Sequence, residues 1–146
     1  MFISTLDIFK IGIGPSSSHT LGPMKAASLF LKSLREKEPI PERIQVSLHG
    51  SLAFTGKGHA TDNAVILGLA GYAPETIDTE MMTGIIERVK KKGQVSPPGF
   101  SDIFFDPATD IIFDYDLILP GHANGMRFFV YAKDNRMILT ETYYSV

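Results

Sequence analysis

Hydroxyl and imidazole side chains are concentrated in one turn near the start of the chain, I-G-I-G-P-S-S-S-H-T-L-G-P at residues 11–23. A helical pattern follows directly, so one hydroxyl could cap the free backbone N–H groups of that helix. The same N–H groups, with the helix dipole, could instead bind a carboxylate or phosphate. Capping needs only one hydroxyl. The turn therefore favours an anion-binding site that contains Ser16, Ser17, Ser18, His19 and Thr20.

A second glycine-punctuated turn, T-G-K-G-H-A-T-D, occupies residues 55–62. Its two glycines would let the backbone approach a ligand closely, and Lys57 would bring a cation. His59 is a candidate general base because imidazole titrates near neutral pH. Asp62 could orient His59 or cap the helix that follows, and capping is the simpler explanation. The glycine spacing and the glycine after Lys57 do not match a P-loop, which excludes nucleotide binding through that motif.

The third polar turn, P-G-H-A-N-G-M-R at residues 120–127, holds His122 and Asn124. Glycine and asparagine are typical of a turn between two strands. Asparagine also offers both a donor and an acceptor, as a bound amino acid would require. His49 is the one histidine outside such a turn. It ends a predicted strand, and we interpret it as structural.

Composition excludes several kinds of site and partner. The chain has no cysteine, so it forms no disulfide and cannot by itself hold a thiolate-bound cluster or zinc. No two histidines stand four residues apart, as a helical zinc site would require. A net charge of −2 gives no reason to expect nucleic acid or an anionic membrane as a partner. No apolar run approaches the ~20 residues of a membrane span, and the start lacks a signal-peptide pattern, so a cytoplasmic protein is expected.

An acidic stretch lies in the second half of the chain. It lacks the glycine and the terminal glutamate of an EF-hand loop, so it predicts a solvated surface rather than a calcium site. Its members are Asp102, Asp106, Asp110, Asp114 and Asp116.

Hydrophobic periodicity predicts an α+β fold, with helices packed on a mixed, largely antiparallel sheet. The predicted helices span residues 22–37, 64–70 and 79–92, and 94–100 reads as a loop. The predicted strands are 44–50, 103–105, 111–113, 128–131 and 137–144.

Three motifs in order, G-P-S-S-S-H-T-L-G-P, G-S-L-A-F-T-G-K-G-H-A-T-D and H-A-N-G-M-R-F, resemble the N-terminal β domain of bacterial iron–sulfur L-serine dehydratases. The resemblance covers residues 1–146 and is specific only when the motifs are taken jointly. It implies that L-serine loses water and then ammonia to give pyruvate. A [4Fe-4S] cluster would be the Lewis acid, with no pyridoxal phosphate.

In that family the cluster cysteines belong to a second, α domain or subunit. The resemblance therefore implies that residues 1–146 are a single β domain that alone binds no cluster and is inactive. His59 matches the histidine favoured as the base for the α-proton. No residue of the chain would ligate metal. The residues that would bind serine are Ser16, Ser17, Ser18, His19, Thr20, Lys57 and Thr61.

His122 and Asn124 match a His-x-Asn pair that the regulatory substrate-binding domain of some phosphoglycerate dehydrogenases also carries. The resemblance implies a related fold and a regulatory site here for serine or another effector. The expected partners are L-serine, the α domain or subunit and further copies in a homo-oligomer. The alternative hypothesis is a non-enzymatic module that only senses a small molecule. The two polar turns before His122 argue against it, because a sensor needs one site.

Overall fold

Six strands form one mixed sheet in the computed structural model, which describes residues 21–37, 40–50, 52, 60–73, 77–114 and 125–144. The strands are β1 (Arg43–His49), β2 (Gln94–Val95), β3 (Ile103–Phe104), β4 (Ile111–Asp114), β5 (Gly125–Tyr131) and β6 (Met137–Tyr144). The sheet order is β2-β3-β1-β5-β6, and β4 also pairs with β1. Strands β3 and β4 run parallel to β1, and the remaining pairs are antiparallel. The predicted α+β class and mixed sheet are confirmed.

Two-residue periodicity gives the sheet two different faces. On β1, Ile44, Val46 and Leu48 are fully buried and belong to the main core. The residues between them are polar or charged and point to the opposite face. Their cross-strand partners on β5 follow the same alternation. We call the opposite surface the outer face of the sheet.

Four helices occur in the described residues: α1 (Leu21–Lys37), α2 (Ala60–Leu69), α3 (Met82–Lys92) and the single turn α4 (Pro107–Asp110). Helices α1 and α2 pack on the inner face of the sheet. Phe30 of α1 stacks on Phe128 of β5, with ring centroids 4.6 Å apart. None of the helices in the described part of the chain is long and apolar enough to span a membrane.

A half-buried carboxylate, Glu141 of β6, also connects α1 to the sheet. Glu141 of β6 accepts a hydrogen bond of 2.7 Å from the Ser33 hydroxyl and one of 2.8 Å from the Tyr143 hydroxyl. Burial, and then the bond to Glu141, raises the pKa of Tyr143. The phenol therefore stays protonated and remains a donor.

Helices α1 and α2 approach so closely that a glycine is required between them. A Cβ built on Gly68 would lie 2.6 Å from the Cβ of Ala27 and 2.7 Å from the carbonyl oxygen of Met24. Real Cβ atoms essentially never come that close to other heavy atoms. Met24 also joins a small apolar cluster with Ala64, Leu67 and Ile85, which links α3 to this pair of helices.

Several predicted boundaries change. Helix α2 begins at Ala60 rather than residue 64, and the predicted loop 94–100 contains the short strand β2. Helix α4 was not predicted, although Asp106 caps it by accepting a bond from the backbone N–H of Ala108 and Pro107 opens it. The end of α3 is as predicted. Lys90, Lys91 and Lys92 are exposed, and Gly93 closes the helix at φ 65°.

The acidic stretch is not uniformly solvated, and the prediction is wrong for Asp110. This residue is 2% exposed. Its Oδ1 accepts hydrogen bonds from the guanidinium of Arg43 and from the side-chain amide of Gln45, and its Oδ2 accepts one from the backbone N–H of Asp106. The bond to Asp110 raises the pKa of Arg43. The carboxylate therefore joins α4 to the start of β1.

We expect Asp110→Ala to lower the free energy of unfolding by about 2–3 kcal/mol, because it leaves a buried N–H and two side-chain donors without their acceptor. Urea unfolding measures the change. Asp102→Ala is the matched control, since Asp102 is exposed and its carboxylate accepts a hydrogen bond from the exposed Ser96 hydroxyl. It is expected to stay within about 0.5 kcal/mol of wild type. Equal effects for the two variants would contradict a structural role for Asp110.

Candidate substrate site

The ends of β1 and β4 and the start of β5 lie together at one end of the sheet. His49, the last residue of β1, pairs with Asp114, the last residue of β4. On the other side of β1, Leu48 pairs with Met126, which places Gly125 beside the same end. Asp114 and Gly125 flank residues 115–124, so these two anchors stand two strand spacings apart, about 10 Å. The turns that carry His59 and His122 therefore start from adjacent strands.

Helix α1 brings its first residue toward this same end. Its C-terminal part contacts the opposite end, where the Arg35 guanidinium donates to the Pro98 carbonyl and lies over the Phe100 ring. The 17 residues of α1 span about 26 Å, and the seven of β1 span about 23 Å. An antiparallel course of α1 along β1, with Arg35 at the opposite end, would place Leu21 near the end of β1. The hydroxyl-rich residues 16–20 directly precede Leu21.

His49 is held in a buried polar arrangement at this end of the sheet. Its ring is 2% exposed, and its Nε2 lies 2.7 Å from the Ser47 hydroxyl, two residues earlier on the same face of β1. Its Nδ1 lies 3.9 Å from Asp114 Oδ2, a distance at which charges attract but no hydrogen bond forms. These contacts agree with the structural interpretation of His49. The sequence did not reveal Asp114 as its neighbour, because the two residues meet only through strand pairing.

Thr61 is the one predicted substrate-binding residue that the structure describes. It lies in the first turn of α2, and its side chain is 1% exposed. Its hydroxyl is therefore packed inside the domain, two residues after His59. The nearby Asp62 accepts a bond of 2.9 Å from the backbone N–H of Asn63.

The other predicted site residues lie outside the described part of the chain. The structure describes only the helix and strand ends that adjoin these residues. They are Ser16, Ser17, Ser18, His19, Thr20, Lys57, His59, His122 and Asn124.

The donor set of this chain does not fit an iron–sulfur cluster. Such clusters are held by cysteine thiolates, and the chain has no cysteine. Within the described residues, no group of three or more histidine and carboxylate side chains could hold a metal ion either.

Comparison with known proteins decides the family. The sequence profile of the serine dehydratase beta chain matches residues 4–146. The chain belongs to the serine dehydratase beta chain family. Among curated relatives, this beta chain is 45% identical to the L-serine dehydratase of Streptomyces coelicolor over its whole length. It is 46% identical to L-serine dehydratase TdcG of Escherichia coli over 99% of its length, and 42% identical to the L-serine dehydratase of Haemophilus influenzae over 99%.

The chain covers only part of the length of these relatives. It spans 32% of the length of each of the three, about a third. The chain is therefore one part of a larger protein or complex. The family resemblance stated from the motifs is confirmed.

Proposed function

We propose that this chain is the β domain of an L-serine dehydratase and supplies substrate-binding and base residues to an active site completed by the rest of the enzyme. The observation that carries the proposal is the full-length match to the serine dehydratase beta chain. The convergence of α1, β1, β4 and β5 at one end of the sheet supports it, because the three polar turns adjoin those elements. The enzyme is proposed to be cytoplasmic and homo-oligomeric.

The proposed reaction converts L-serine to pyruvate and ammonia. His59 takes the proton from Cα, and the C–H electrons form a carbon–carbon double bond as the Cβ–O bond breaks; the departing hydroxide takes up the proton carried by His59 and leaves as water. The resulting enamine moves a proton from nitrogen to Cβ, water adds at Cα of the imine so formed, and ammonia departs. One water is lost and one regained, so the atoms balance. Ser16, Ser17, Ser18, His19 and Thr20 hold the carboxylate, with Lys57 and Thr61 nearby.

The [4Fe-4S] cluster is proposed to be bound by cysteines outside this chain. We expect the isolated chain of residues 1–146 to form no pyruvate from L-serine and to bind no cluster after reconstitution with iron and sulfide, because it offers no thiolate. A coupled lactate dehydrogenase assay and the visible absorption of the cluster measure both outcomes. Pyruvate production or a bound cluster in the isolated chain would refute this division of roles.

His122 and Asn124 are proposed to form a regulatory site that is separate from the catalytic one. The segment that carries them is anchored on β4 and β5 at either side of β1. A domain of related fold in some phosphoglycerate dehydrogenases is the proposed parallel. Serine or another small effector would bind there and change activity through a coupling free energy between the two sites.

We expect His122→Ala to change the dependence of rate on serine concentration while the maximal rate stays within about threefold of wild type, because an effector site couples to catalysis by only about 1–3 kcal/mol. Steady-state kinetics over a wide serine range measures this. Asn124→Ala should give the same pattern. A complete loss of turnover in His122→Ala would place His122 in the catalytic site instead.

The alternative, a non-enzymatic sensing module, makes a different prediction. Such a protein would bind serine without turnover even when joined to the remaining two thirds found in its relatives. The serine dehydratase assay on the complete protein separates the two functions.

A further inference from the structure

The outer face of the sheet carries exposed apolar side chains on three strands, while the α4 carboxylate Asp110 contacts Arg43 and Gln45 on the same face. Three of the five exposed large hydrophobic residues among the described positions lie there: Phe104 at 56%, Ile112 at 41% and Met137 at 49% exposure. Single exposed hydrophobic residues are common on protein surfaces. Several on one side of one sheet, however, indicate a contact surface.

Strand register arranges this face in rows. The first row runs across four strands through Phe104, Arg43, Tyr131 and Met137. The second passes through Gln45, Phe129 and Thr140.

The third row runs through Ile112, Ser47, Arg127 and Thr142, and the fourth begins with Asp114 and His49. The first and third rows therefore each combine apolar groups with one arginine, whereas Ser47 and His49 in the third and fourth rows are themselves buried. Such a mixture is typical of protein interfaces.

One end of the first row borders a cleft of about 460 Å³, lined among others by Phe104, Arg43, Asp110 and Lys133. Asp110 and Arg43 are joined by an ion pair, and Glu42 and Asp106 add two further carboxylates to the lining. An apolar side chain of a partner could enter beside Phe104, while polar groups at its rim meet Lys133.

We propose that the outer face of the sheet is the docking surface for the remaining two thirds of the serine dehydratase. This rests on the proposed function. The relatives are about three times as long as this chain, so a large body of polypeptide has to pack against some part of it. The fourth row, with Asp114 and His49, forms the sheet end where the polar turns begin. A partner that meets those turns therefore borders Ile112 directly.

Site-specific photo-crosslinking in the assembled enzyme tests this surface. Benzoylphenylalanine replaces Phe104 or Ile112, and mass spectrometry identifies the crosslinked peptides after irradiation. We expect most crosslinks to fall in the remaining two thirds of the enzyme. Met81 is the matched control, because it is 53% exposed but lies in the 3₁₀ turn before α3, away from the sheet. It should give at least tenfold fewer crosslinks to that part.

Other occupants of the surface give distinct results. Mixing isotopically light and heavy enzyme separates crosslinks within one copy from those between two copies. Crosslinks from positions 104 and 112 to residues 1–20, or to residues 1–146 of a second copy, would overturn the proposal. A yield no higher than at Met81 would overturn it as well.

A second variant tests the same surface without crosslinking. Ile112→Glu places a charge in the proposed interface, and it should raise hydroxyl-radical labelling of the Phe104 and Met137 side chains at least tenfold in the assembled enzyme. Met81→Glu should leave this labelling unchanged. Unchanged labelling in Ile112→Glu would count against the surface. Neither readout uses turnover, so absence of serine dehydratase activity would refute the proposed function while leaving the docking result intact.

Discussion

His59→Ala is expected to lower kcat for L-serine by about 10²–10⁴-fold, the usual contribution of a positioned general base. Serine binding should change little, because the proposed site holds the carboxylate in the hydroxyl-rich turn rather than at His59. Pyruvate formation measures kcat. Competition by L-alanine, which has no β-hydroxyl to eliminate, measures binding in both enzymes. Exchange of the Cα hydrogen in D₂O should also disappear in the variant.

Two comparisons separate this role from a structural one. His59→Gln keeps the approximate size of the side chain but cannot accept the proton near neutral pH, so it should be as inactive as His59→Ala. Added imidazole should restore part of the activity of His59→Ala only. If Cα exchange persists in both variants, another group is the base. If His59→Ala and His122→Ala behave alike, the separation of catalytic and regulatory sites is wrong.

Gly68→Ala is expected to lower the free energy of unfolding by about 1–3 kcal/mol, the usual cost of overpacking a core. The added methyl would meet the Met24 carbonyl oxygen at 2.7 Å. A backbone atom cannot move aside as a flexible side chain can, so α1 and α2 have to separate. Urea unfolding measures the loss. In the assembled enzyme the start of α1 should shift as well, which should weaken serine binding.

Gly84→Ala is the matched control within another helix. A Cβ at Gly84 in α3 meets no atom within 4 Å. The substitution should therefore raise the free energy of unfolding by up to about 1 kcal/mol, because alanine favours helix more than glycine does. Opposite signs for the two substitutions would confirm the close helix crossing. A stabilising effect of Gly68→Ala would contradict it.

The sequence predicted those elements whose signals are local. Alternation of apolar residues located β1, and the run of three lysines, Lys90 to Lys92, located the end of α3. Helix α2 begins four residues earlier than predicted, because its first turn holds Thr61 and Asp62, whose polar side chains hide the periodicity. The two residues of β2 form a strand only because β3 pairs with them, and a strand that short has no periodicity of its own.

Burial of polar groups was the hardest feature to predict. Asp110 resembles its acidic neighbours in sequence, and the partner that buries it, Arg43, is 67 residues away. The same holds for His49 and Asp114, which meet through strand register. Motif resemblance identified the candidate site residues. Among them the structure describes Thr61, and for the others it describes the elements that lead into the turns.

The position of β1 in the sheet also determines when the domain can fold. Every strand that pairs with β1 comes from residues 103–131, long after β1 itself has been synthesised. Helices α1 and α2 therefore leave the ribosome with apolar faces and no sheet to cover. Contacts between such distant residues form slowly, and exposed apolar surface promotes aggregation in the meantime. The core sheet around β1 can therefore be completed only after β5 has been synthesised.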